Sequence, residues 1–199
     1  MKKCILLVFT LISVLSYGQN SSTTDEGVII NGVKWATRNV DEPGTFAPTP
    51  ESAGKFYQWN RKRAWNTTDR TVPGWDRSIP SGTSWTRNND PCPSGWRIPT
   101  DLELKKLIDS GRVWTTRNGV EGSLFGTAPN QIFLPIAGWR DINSSMLLEE
   151  NSGNYWSSTV FDSTIKNPDP YTLFFNSISP HLGGGARQVG MSVRCVSDK

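Results

Sequence analysis

Apolar residues recur at helical spacing after one strongly capped position in the middle of the chain. They are Leu104, Leu107 and Ile108. Thr100 precedes them as a favoured N-cap residue, and Glu103 three residues later completes a capping box. Gly111 is placed to end the helix. Because a helix of about ten residues is unstable alone, we expect it to pack against the C-terminal segment, residues 155–196.

Shorter apolar runs separated by turn signals predict antiparallel strands. In residues 28–36, VIINGVKWA, Asn31-Gly32 stands between two apolar runs, the pattern of a two-residue hairpin. Asn118-Gly119 marks a turn between two further predicted strands, 113–116 and 132–135. Three antiparallel strands are predicted near the C-terminus, at residues 155–159, 171–176 and 191–196.

A second helix is predicted where Thr49 can serve as N-cap, with Pro50 in its first turn. It would place three apolar residues on one face: Ala53, Phe56 and Tyr57. Residues 59–89 show neither helical nor strand periodicity. We expect them to form long loops, anchored by Trp65, Trp75 and Trp85.

The N-terminus has the pattern of a secretory signal peptide. Lys2 and Lys3 precede an uncharged, apolar run from 4 to 17, and small Gly18 follows. We expect a signal peptide over 1–19, a flexible tail over 20–27 and a single domain over 28–199. The protein is then exported to the periplasm, the cell surface or the medium, with no membrane span in the mature chain. An uncleaved N-terminal anchor is the alternative.

Removal of this segment leaves two cysteines, Cys92 and Cys195. An even pair in an exported protein predicts a disulfide, which leaves no thiol for catalysis and no Cys/His zinc site. The loss of Lys2 and Lys3 changes the balance from 21 basic and 18 acidic residues to 19 and 18, which gives no basis for nucleic-acid binding. The longest basic run, Arg61-Lys62-Arg63, is interpreted as a solvated helix end.

Several motifs in order resemble those of the Fibrobacter succinogenes major paralogous domain, a family of exported proteins abundant in gut Bacteroidetes. They are INGVKWATRNV, AGKFYQWN, DPCPSGWRIPT, IFLPIAGWR, YWSST and GMSVRCV, and together they extend over residues 28–196. The resemblance implies a C-type-lectin-like α+β fold in which two helices flank short antiparallel sheets with long loops. It also implies that ligands meet the C-terminal half, which is similar to variable domains diversified by retroelements.

The residue types present argue against most catalytic and metal sites. His181 is the only histidine, so no hydrolase triad has an alternative base. The Gly183-Gly184-Gly185 run lacks the context of a phosphate loop, and Asn167-Pro168-Asp169 lacks the second motif of a lectin calcium site. We therefore expect no catalytic residue, no metal and no cofactor. Glu149-Glu150 with Asp141 could act as the acids of a glycosidase, although adjacent glutamates are usually solvated.

A mixture of aromatic and short polar side chains in the C-terminal region is typical of a recognition surface. The predicted ligand-binding residues are Phe161, Tyr171, Phe174, Asn176, His181 and Arg187. The sequence thus favours an exported, non-enzymatic ligand-binding or adhesin module that recognises a glycan or a protein. A structural component of a surface assembly, such as a pilus tip, is the first alternative, and a glycan-active enzyme is the second.

Overall fold

The computed structural model describes residues 22–147, 151–162 and 164–199. The predicted signal peptide and Glu149-Glu150 lie outside these residues. The described part contains one α-helix, α1 (Asp101–Asp109), and one short 3-10 helix (Arg87–Asn89). The strands are β1 (Val28–Ile30), β2 (Val33–Asn39), β3 (Phe56–Gln58), β4 (Ala64–Trp65), β5 (Trp96–Arg97), β6 (Arg112–Arg117), β7 (Val120–Thr127), β8 (Asn130–Pro135), β9 (Trp139–Arg140), β10 (Met146–Leu147), β11 (Gly153–Val160), β12 (Pro170–Phe175), β13 (Pro180–Gly184), β14 (Gly190–Met191) and β15 (Arg194–Ser197).

These strands form four antiparallel sheets. Their orders are β1-β2-β15-β5, β10-β9-β14-β3-β4, β11-β12-β13 and β6-β7-β8. The β1–β2 hairpin turns at Asn31-Gly32, where both residues have positive φ, 47° and 76°, as a primed two-residue turn requires. This confirms the predicted hairpin. The predicted strands at 113–116 and 132–135 are also present, but β7 lies between them and pairs with both.

The expected α+β arrangement of two helices flanking the sheets is wrong, because the described chain is mostly β and has a single α-helix. The segment after Thr49 turns and then becomes β3, which pairs with β14. Gly54 explains the difference. Its φ is +69°, and a Cβ there would lie 2.1 Å from the Val40 carbonyl oxygen. The backbone N–H of Lys55 donates to that same oxygen, instead of to a carbonyl one turn earlier as it would in a helix.

Helix α1 forms where its capping signals predicted. Thr100 accepts a hydrogen bond from the backbone N–H of Glu103, and the Glu103 carboxylate accepts one from the backbone N–H of Thr100. Leu104 and Leu107 are buried in one core cluster with the β12 residues Leu173 and Phe175. The expectation that this helix packs against the C-terminal segment is therefore confirmed.

A second core cluster is built around tryptophan rings and the disulfide. Cys92 and Cys195 are bonded, which confirms the predicted pair, and the bond closes a sequence separation of 103 residues. Trp59 and Trp156 are fully buried in this cluster, and Trp85 packs edge-on against both. The bond joins the loop before β5 to β15, which pairs with β5.

The third predicted C-terminal strand is placed wrongly. Residues 180–184, expected to be a loop around His181, form β13 and pair with β12. Residues 191–196 instead divide between β14 and β15, which belong to two other sheets. Between these two strands, Ser192 is hydrogen-bonded to β11. Its backbone N–H donates to the Asn154 carbonyl, and its carbonyl accepts from the backbone N–H of Trp156.

Buried arginines hold the irregular segments in place by donating to backbone carbonyls. Arg140 donates to the carbonyls of Asn66, Asp69 and Ser144 over 2.6 to 2.8 Å. Arg194 lies between β2 and β8 and donates to Asn39 Oδ1 at 3.0 Å. Burial lowers the pKa of Arg194 to about 10, so the guanidinium remains charged at neutral pH. These side chains replace regular secondary structure as the support of the loops.

Candidate functional site

One face of the β11-β12-β13 sheet carries two rows of residues that cross all three strands. One row is Asn154, Phe174 and His181, and the next is Trp156, Thr172 and Gly183. Residues two apart on a strand point to the same side of a sheet, so both rows face the same way. All of these residues except Trp156, which is buried in the tryptophan cluster, form the floor of a cavity.

This cavity, here called the C-terminal pocket, has a volume of about 270 Å³. Trp139 of β9 forms one wall. Another wall is formed by Met191 of β14 and by the segment that joins β13 to β14, through Gly185, Ala186 and Val189. Of the described residues that line the pocket, none is Asp, Glu, Lys or Arg. An aromatic, uncharged concave surface of this kind is typical of a binding site for a small ligand or a single side chain.

Glycines determine the shape of the C-terminal pocket. At Gly183 an added Cβ would make only ordinary van der Waals contacts, 3.8 Å from His181 Cδ2 and from Thr172 Oγ1, so a side chain fits at this position. At Gly185 an added Cβ would lie 2.9 Å from Thr172 Cγ2 and 3.1 Å from the Trp156 ring. Gly185 therefore permits close packing of the wall, and Gly183 leaves room on the floor.

The polar groups of the pocket are oriented by their neighbours. Asn154 Nδ2 donates to Ser152 Oγ at 2.9 Å, which fixes the amide and leaves Asn154 Oδ1 without a hydrogen-bond partner among the described residues. The exposed His181 ring packs against the Phe174 ring with centroids 4.9 Å apart. Its two nitrogens also have no described partner. The pocket thus offers aromatic surface beside groups able to bind a ligand hydroxyl or amide.

The predicted site residues are only partly brought together. Phe174 and His181 line the pocket, whereas Tyr171 points to the opposite side of β12 and stacks on Phe161 at 3.9 Å. Phe161 is 47% exposed and lies over Gly184, at the rim of the sheet. Asn176 lies at the tip of the β12–β13 hairpin, where its Oδ1 accepts backbone N–H groups from Ile178 and Ser179.

Arg187 is not on the surface, contrary to the outward position expected for it. Only 2% of this residue is exposed. Its guanidinium donates to the carbonyls of Pro168, Pro80 and Gly82 and lies 4.4 Å from the Trp59 ring centroid. The alternation of the sequence cannot reveal this role, because Arg187 follows β13 in an irregular segment. We therefore remove Arg187 from the candidate recognition surface.

Several pocket residues were missed by sequence reasoning. Thr172 shares a strand face with Phe174, so two-residue periodicity could have identified it. Trp139 and Asn154 could not be found in that way, because they lie on other strands. Asn154 comes beside Phe174 through the pairing of β11 with β12, and Trp139 reaches the pocket through the packing of two sheets.

No group of three or more His, Cys, Asp or Glu side chains in residues 22–147, 151–162 and 164–199 is arranged to hold a metal ion. Within the same ranges, no helix is both long and apolar enough to cross a membrane. Comparison of the chain with known protein families, curated proteins and solved structures finds no match.

Proposed function

We propose that this protein is an exported, non-enzymatic binding module, or adhesin, that recognises a glycan or a protein through the C-terminal pocket. The observation that supports it is the combination of an uncharged aromatic cavity with unpaired polar groups at Asn154 and His181. Phe161 and Tyr171 stack on each other on the opposite side of this sheet and lie outside the pocket. Aromatic rings bind the apolar faces of sugars and side chains, and oriented amides select among them.

The proposal of export rests on the N-terminal signal-peptide pattern, and a disulfide between Cys92 and Cys195 is the bonding state expected in an oxidising compartment. We include in this proposal membership of the Fibrobacter succinogenes major paralogous domain family, but not the two-helix fold that the resemblance implied. Its support is that two quoted motifs carry folding signals. INGVKWATRNV contains the turn of the β1–β2 hairpin and all of β2, and DPCPSGWRIPT contains Cys92 and the cap of α1.

Gly183→Leu provides the test. Gly183 lines the pocket on an extended strand, and an added Cβ there would make only ordinary van der Waals contacts, so the fold should tolerate the new side chain. The purified domain and this variant are applied to arrays of oligosaccharides and of extracellular proteins. We expect the signal of the wild-type protein to fall by about tenfold or more in the variant, at an unchanged melting temperature.

Gly183→Ala and Ile178→Ala serve as controls. The alanine at 183 fills less of the pocket and should reduce binding less than leucine does. Ile178 is 84% exposed at the tip of the hairpin, outside the pocket, and its removal should leave binding unchanged. If Gly183→Leu bound every array ligand as the wild-type protein does, or if no array ligand bound, the proposal would be wrong.

A further inference from the structure

A second cavity, here called the basic cleft, lies beside the turn that joins β3 to β4. Its volume is about 410 Å³, and it shares no lining residue with the C-terminal pocket. Arg61, Lys62 and Arg63 line it together, so this basic run belongs to a turn rather than to the helix end expected from the sequence. Asp76 is the one acidic residue among the described lining residues. The cleft therefore carries a net positive charge.

The three cations differ in what they contact. Arg61 pairs with Asp76 and also donates to Ser78 Oγ at 2.7 Å. The exposed Arg63 guanidinium lies over the Trp65 ring, 4.1 Å from its centroid, and Lys62 is exposed without a partner among the described residues. Lys62 is thus available to an anion at the rim of the cleft, and Arg63, which also donates to the Gly74 carbonyl at 3.3 Å, has further N–H groups to offer.

Deeper in the basic cleft, one acceptor and one donor are left unpaired. Gln58 is fully buried, and its Nε2 donates to the carbonyls of Asp76 and Gln188 at 2.6 and 2.7 Å. These bonds fix the amide orientation, and the buried Oε1 has no partner among the described residues. The buried Nε of Arg61 is also unpaired, although the rest of its guanidinium is held. Buried polar groups usually have partners, so this pair of atoms indicates an unfilled contact.

The geometry points to an acidic saccharide as the ligand of the basic cleft. Sugar hydroxyls both donate and accept, so the hydroxyls of a saccharide can supply a donor for Gln58 Oε1 and an acceptor for Arg61 Nε. The carboxylate of the same ligand then meets Lys62 and Arg63 at the rim. Both inner atoms are covered, so a hydroxyl reaches them only when side chains that line the cleft shift on binding. This inference does not depend on the C-terminal pocket.

Isothermal titration of the full mature chain with tetragalacturonate at about 0.15 M salt tests the inference. The double variant Lys62→Glu/Arg63→Glu is compared with Lys166→Glu/Lys199→Glu, which changes the net charge equally at exposed positions outside the cleft. We expect the cleft variant to bind about tenfold more weakly or worse, and the control to stay within about twofold of the wild-type protein. Gly183→Leu should bind tetragalacturonate normally.

Two further ligands separate the parts of the inference. Fully methyl-esterified tetragalacturonate lacks the charge and should bind at least about tenfold more weakly. Inorganic sulfate is an anion that lacks the hydroxyl groups of a sugar, so it should also bind weakly. The inference is overturned if the ester or sulfate binds as tightly as the acid. It is likewise overturned if both double variants weaken binding equally, if Gly183→Leu abolishes it, or if tetragalacturonate does not bind at millimolar concentration.

Discussion

Replacement of Arg187 by alanine tests the difference between a binding residue and a structural one. In the structure its guanidinium makes four hydrogen bonds of 2.7 to 2.9 Å to three carbonyl oxygens on two separate loops. The loops contain Pro80 and Pro168, and neither carbonyl belongs to a sheet interior. Removal of the Arg187 side chain therefore removes all four of these hydrogen bonds and their link between the two loops.

The magnitude of the loss follows from these contacts. Hydrogen bonds of charged groups stabilise by about 1.5 to 3 kcal/mol each, and the contact with the Trp59 ring adds about 1 to 2 kcal/mol. The cost of burying the guanidinium offsets much of this sum, and water can reach some of the freed carbonyls. We expect Arg187→Ala to lower the free energy of unfolding by about 3 kcal/mol, the usual scale for breaking a buried charged contact.

Urea denaturation of the oxidised protein at neutral pH measures this change. With an m value of about 2 kcal/mol per M, a loss of about 3 kcal/mol lowers the midpoint by about 1.5 M. Arg187→Lys keeps the charge but cannot reproduce the planar fork, so it should also be destabilised. His181→Ala, at an exposed position, should change stability by no more than about 0.5 kcal/mol. An Arg187→Ala variant within about 1 kcal/mol of the wild-type protein would refute the structural role.

Three further predictions concern the scaffold. A Cys92→Ser/Cys195→Ser variant should be destabilised by up to about 4.7 kcal/mol in urea, because the bond closes a loop of about 100 residues. Burial raises the pKa of Glu103, but hydrogen bonds from Arg97 and Thr100 outweigh it and hold the pKa below its usual value. The ionised Glu103 carboxylate therefore stabilises the folded state fully above the unfolded pKa of about 4.3, and this stabilisation is lost as the pH falls through the lower, folded pKa. Glu103→Gln removes this titration, so the free energy of unfolding of the variant should fall less steeply at acid pH. Trp96→Ala, at a residue only 8% exposed, should cost about 3 to 5 kcal/mol by thermal or urea unfolding. An unchanged free energy of unfolding in the cysteine or Trp96 variant, or an unchanged pH dependence of stability in Glu103→Gln, would contradict the corresponding role.

Local signals were sufficient for the elements whose stabilising contacts lie within a few residues. Thr100 and Glu103 are three residues apart and cap the same turn, so α1 could be predicted from their spacing. Asn31-Gly32 adopts the positive φ values that define the hairpin turn. The disulfide followed from a count, because the predicted signal peptide left only Cys92 and Cys195.

The rest of the fold was decided by contacts between residues far apart in the chain. Thr49 and Pro50 have the chemistry of a helix start, but the approach of Gly54 to Val40 and the pairing of β3 with β14 favour an extended chain. Arg187 has the composition of a surface residue and becomes buried because carbonyls about 20 and 105 residues earlier surround it.

The candidate site shows the same division. Thr172 and Phe174 are two residues apart in β12 and therefore lie on the same face of the sheet, which the sequence alone is sufficient to predict. The pocket exists only because Trp139 from β9 and the segment after β13 meet that face when two sheets pack together. Side chains along a strand alternate between the two faces of the sheet with a fixed period of two residues. Which element packs on a given face depends instead on how the apolar surface of the whole chain is buried.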